Sequence, residues 1–116
     1  MSSIDANGNP PPADATVIDC AGSVVMPGLI DAHWHSIFAA VPLNVLLAGD
    51  PGIIYAASTA EADRTLMRGF TTVRDLGGPV FTFKQAIDTG IIPGPRIFPA
   101  GAMITTSGGH CDLRMP

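Results

Sequence analysis

Apolar positions along this chain fall in short blocks, each closed by glycine, proline or a polar turn. Met1 to Ala13 is small and polar, with Asn7-Gly8-Asn9 ahead of three prolines, which predicts a turn and then an extended linker. Thr16 to Cys20 and Ser23 to Met26 are β-branched runs separated by Ala21-Gly22, a spacing that predicts a hairpin. Pro27 to Ile30 then runs apolar into Asp31-Ala32-His33-Trp34-His35, a strand pattern with period two. Ile37 to Leu47 is apolar with Pro42 inside, and is compatible with a short helix over the mouth of the fold or a substrate-facing loop. Asp50-Pro51-Gly52 predicts a turn. Ser58-Thr-Ala-Glu61 has the form of a capping box, predicting a helix from Ser58 to about Arg68 that stops at Gly69. Ala62, Leu66 and Met67 are its expected inward positions. Thr71 to Asp75 reads as a buried strand, Val80 to Thr89 as a helix ended by Gly90, and Arg96 to Ala100 as a third strand. Alternation of strand and helix points to an α/β fold with parallel, right-handed crossovers.

Composition changes this picture in one respect. Only 14% of the 116 residues are charged and 47% are hydrophobic, a low charge content for a small free-standing domain. Strands covered on both faces inside a larger fold have that composition, so the chain is expected to be a segment of a longer protein. A net charge of -4 with six scattered Lys and Arg gives no nucleic-acid surface. No apolar run is long enough to span a membrane. Cys20 and Cys111 form no C-x-x-C pair, and Met1 to Pro12 has no signal-peptide pattern; both features fit free thiols in the cytoplasm.

The candidate chemistry centres on His33 and His35. On a strand, Asp31, His33 and His35 share one face, where two imidazoles can share a divalent ion and Asp31 can orient a ring. The competing reading is a pair of buried, hydrogen-bonded core histidines. Asp75 closes the second strand and either contacts substrate or anchors a loop, with the loop anchor favoured; Arg74 points away. Adjacent His110 and Cys111 cannot readily form a base and nucleophile pair, because consecutive side chains diverge. Gly108 and Gly109 mark either a positive φ or a close approach.

Val25-Met-Pro-Gly-Leu-Ile-Asp-Ala-His-Trp-His35 resembles the first barrel strand of the amidohydrolase superfamily of metal-dependent hydrolases. Gly69 to Gly78, Gly90 to Arg96 and Ser107 to Asp112 are similar to its imidazolonepropionase-related branch, which includes dipeptidases and amidases. The likeness runs from about Ala13 to Arg114. It implies a partial (β/α)₈ barrel over 27–116, preceded over 1–26 by a linker and the last strands of a small β-sandwich. About 250 residues complete such a barrel.

The resemblance also implies that His33 and His35 bind one metal, with zinc expected at one or two ions in the whole protein. The other ligands, a carboxylated lysine, two histidines and an aspartate, would follow later strands; Lys84, in a helix, is not the bridging lysine. His110 is expected to contact substrate from a mobile loop, against a picture in which Asp112 folds that loop and Cys111 is passive. No catalytic residue is assigned within the chain. The expected activity is hydrolysis of a C-N bond in a small acylated amino acid or dipeptide, by a homo-oligomer. The alternatives are a non-catalytic assembly module and an inactive truncation that associates through sheet edges.

Overall fold

The computed structural model describes residues 8–112. The start of the expected linker and the end of the resemblance at Arg114 lie outside them. Three strands, β1 (Leu29–Trp34), β2 (Phe70–Asp75) and β3 (Arg96–Pro99), form a parallel sheet in the order β1-β2-β3. Helices α1 (Leu43–Ala48) and α2 (Pro51–Met67) lie between β1 and β2, and α3 (Phe81–Asp88) between β2 and β3. The expected α/β class, parallel pairing and three strand positions are all present.

The apolar layer lies where α2 and α3 cover one face of the sheet. Val73 and Ile97 are register partners on β2 and β3, and both are buried with Trp34, Ala62, Val80 and Phe83. Their neighbours Arg74 and Phe98, also register partners, point to the other face and are exposed. Tyr55, Ile87 and Ile92 pack around this core.

Helix α2, in the first crossover, departs from the sequence reading at its start. Asp50-Pro51-Gly52 does not make a free turn: Asp50 is the N-cap of α2, its Oδ1 accepting from Gly52 N–H at 2.7 Å, with Pro51 in the first helical position. Asp at the cap and Pro just inside it outweigh the turn signal. Ser58 is therefore mid-helix and buried, its hydroxyl donating to Ile54 O at 2.9 Å. Glu61 does not reach back to a cap; it accepts from Arg64 at 2.9 Å and from Arg68 at 2.5 Å. Ala62 faces inward as expected, joined by Thr65, while Leu66 is half-buried and Met67 is 78% exposed. The helix does stop where predicted, at Gly69 with φ +93°.

The predicted hairpin is present only as a turn. Ser23 N–H donates to Cys20 O at 2.7 Å across Ala21 and Gly22, whose φ values of 30° and 80° are both positive, as in a hairpin turn. Residues 8–28 contain no strand, and the β-branched flanks stand in solvent, Val24 at 92% exposure. A two-stranded ribbon with nothing to cover its apolar face is marginal at best. Farther on, residues 36–41 form turns and Pro42 leads into α1, so the Ile37 to Leu47 stretch is loop first and helix second.

Candidate active site

The carboxyl ends of the three strands meet around one cavity of about 580 Å³. His33 and His35 enter it from the end of β1, on the face opposite buried Trp34, with ring centroids 5.3 Å apart and planes inclined at 71°. Shared-face placement, as the period of two predicts, is what the structure shows. His35 also stacks on Phe38 at 5.8 Å. Its Nδ1 is buried and has no hydrogen-bond partner, which argues against a pair of satisfied core histidines.

Asp31 does not orient either ring. Its Oδ1 accepts from the His33 backbone N–H at 2.9 Å, in the stretch where the β1–β2 register shifts. A short carboxylate side chain competes with the ladder for a nearby N–H, and here it takes one.

Asp75 is the loop anchor that the sequence favoured. Its fully buried carboxylate accepts from Ser36 N–H at 2.8 Å, Ser36 Oγ at 2.5 Å and Gly77 N–H at 3.0 Å. Its carbonyl accepts from Ala100 N–H at 2.8 Å, just beyond β3. One residue thus ties together the segments that follow all three strands. Gly77 adds a close approach: a Cβ there would lie 2.3 Å from Met103 Cγ, so only glycine lets Met103 settle against the loop after β2.

The loop over residues 107–112 brings His110 and Cys111 to the same cavity. Asp112 folds it, with Oδ2 accepting from Gly108 N–H at 2.7 Å and its own N–H donating to Gly109 O at 2.9 Å. The two glycines serve different needs. Gly108 takes φ +70°, whereas a Cβ on Gly109 would stand 2.4 Å from Thr105 Oγ1. The remaining wall is apolar, from Leu43 and Leu46 of α1 together with Leu76, Met103 and Ile104. Leu43 and Leu46 fall in the apolar run around Pro42 that the sequence set over the mouth or facing substrate, whereas Leu76, Met103, Ile104 and Ser36 carried no signal of their own. Lys84 is away from the cavity, on α3, where it pairs with Asp88.

Two side-by-side imidazoles, one with an unsatisfied buried nitrogen, fit the donor chemistry of a borderline divalent ion. They fit part of its shell. Among the described residues no group of three His, Cys, Asp or Glu side chains is placed to enclose a metal, and zinc takes at least three protein ligands.

Residues 24–115 match the Amidohydrolase family. Ochratoxinase from Aspergillus niger is 32% identical over 93 residues, which cover 78% of this chain and 19% of that protein. Imidazolonepropionase from Vibrio cholerae is 40% identical over 50 residues, 43% of this chain and 12% of that protein. A solved prolidase, complexed with N-methylphosphonate-L-proline, superposes with a TM-score of 0.78 at 42% identity, covering 87% of this chain and 25% of its own. The chain spans a fifth or less of the length of these curated relatives.

Proposed function

The chain belongs to the amidohydrolase family, and from that premise we propose that it is the first part of a metal-dependent (β/α)₈ barrel that hydrolyses an amide bond in a small acylated amino acid or dipeptide. The similarity to a prolidase solved with N-methylphosphonate-L-proline supports an amino-acid-derived substrate. Placement of the site at the carboxyl ends of parallel strands supports the barrel, where catalytic groups collect.

One observation carries the metal reading: His33 and His35 stand together in the cavity with the His35 Nδ1 unsatisfied. In this reading the two imidazoles hold one divalent ion, zinc being the expected one, and later strands supply its other ligands. An ion held there would supply Lewis acidity for activating a water molecule and polarising the scissile carbonyl. This chain's own residues do the rest of what it contributes. His110 offers a hydrogen-bonding ring to the substrate's polar end, while Leu43, Leu46 and Met103 accept a carbon-rich acyl group or side chain and keep water away from it.

The test is a full-length double variant, His33→Ala with His35→Ala. Bound zinc and hydrolysis of N-acyl amino acids should be lost together. Undiminished metal content in the folded variant would refute the assignment.

A further inference from the structure

Among the described residues, Asp75 is the only buried charged side chain, and no cation pairs with it. A buried carboxylate without a counter-ion is retained at a cost that an apolar side chain would avoid. Its hydrogen bonds indicate what it does. Two of the three donors it accepts from belong to Ser36, the residue that follows His35. Holding the Ser36 N–H fixes the plane of the His35–Ser36 peptide, and with it the direction in which the His35 side chain leaves the backbone. The third donor, Gly77 N–H, locks the carboxylate itself against rotation.

We propose that Asp75 is a positioning residue for the imidazole pair, acting through Ser36 to hold His35 in the orientation that takes a divalent cation. This rests on the metal-site reading above. Replacing Asp75 by asparagine preserves its shape, but either orientation of the amide sets an NH₂ group against a backbone N–H that now donates to oxygen. The clamp opens on one side or the other. Ser36→Ala is milder, since it removes the hydroxyl bond and leaves the backbone bond in place.

The experiment uses the full-length protein and zinc alone, with the dissociation constant read by competition against a chromophoric chelator. Groups that orient metal ligands from behind change affinity by about 10- to 100-fold when removed. Asp75→Asn should weaken zinc binding by at least about tenfold, and Ser36→Ala by a smaller but measurable factor, on the order of threefold. Ala62→Gly, a core change in α2 away from the cavity, serves as the control for simple destabilisation. It should lower the unfolding temperature and leave zinc affinity within about twofold of wild type. Wild-type affinity in Asp75→Asn, or an equal loss in Ala62→Gly, overturns the proposal. Should Asp75→Asn fail to fold, Ser36→Ala against Ala62→Gly decides by the same criterion. A wild type that binds no zinc overturns the zinc-site reading and this proposal together, whereas a wild type that binds zinc no more tightly than both clamp variants overturns this proposal alone.

Discussion

An alanine Cβ at position 28 would stand 2.1 Å from Thr71 Oγ1 and 2.6 Å from Thr71 Cβ. The second distance involves an atom fixed by the backbone, so rotating the threonine does not relieve it. Gly28→Ala is expected to push β1 from β2 and to destabilise the fold by about 1 to 3 kcal/mol, the usual cost of forced overpacking. Urea unfolding of wild type and variant checks this; a difference below 0.5 kcal/mol, the ordinary scatter of surface changes, would mean the strands separate freely there. Gly28 belongs to the Pro-Gly-Leu-Ile-Asp block that marked β1 in the sequence, yet nothing in one sequence identifies Thr71 as its neighbour. The same divide runs through the site. His33 and His35 were legible because side-chain direction on a strand depends only on spacing. Ser36 and Asp75 lie 39 residues apart, and their bond exists only once β1 and β2 are paired.

At the scale of an element, α2 shows how two valid local signals compete. Asp50-Pro51 and Ser58-Thr-Ala-Glu61 both resemble helix starts, and choosing between them requires knowing that residues 51–57 are already held by tertiary packing, with Ile54 buried and Tyr55 packed against the core. Truncating each in turn should reverse the sequence-based ranking. Asp50→Ala is expected to cost about 0.5 to 2 kcal/mol, as a lost cap does. Ser58→Ala should stay within about 1 kcal/mol, because the lost bond to Ile54 O is offset by alanine's better helix propensity. A larger loss for Ser58→Ala in thermal or urea unfolding would contradict the cap assignment.

Glu61 gives this helix a pH response. The Arg68 hydrogen bond, aided by Arg64 and opposed by partial burial, holds its carboxyl below the ordinary value of 4.5. A depressed carboxyl contributes stability above its unfolded pKa and loses it as pH falls through the folded one. Glu61→Gln should therefore be less stable than wild type at neutral pH, by a small amount because both arginines are half-exposed, and the gap should close in acid below pH 4.5. A gap that persists at low pH would assign the effect to packing.

For the whole molecule, the sheet has two unpaired edges, one face with exposed Arg74 and Phe98, and an apolar segment over residues 16–26 that touches no core. The radius of gyration is 19.0 Å and the longest extent 67 Å, against about 13 Å for a compact chain near this size. Open edges and apolar arms recruit further strands. The polypeptide 1–116, purified alone, is expected to self-associate and to show no amide hydrolysis with added zinc; a cooperative monomer with turnover in sedimentation and activity assays would disprove this. Strand order has a further consequence, for synthesis on the ribosome. Because β1, β2 and β3 are neighbours in the order in which they are made, β2 and β3 each emerge to find a partner already outside the exit tunnel. The sheet can grow along one edge as translation proceeds, β2 joining the strand that carries His33 and β3 joining β2.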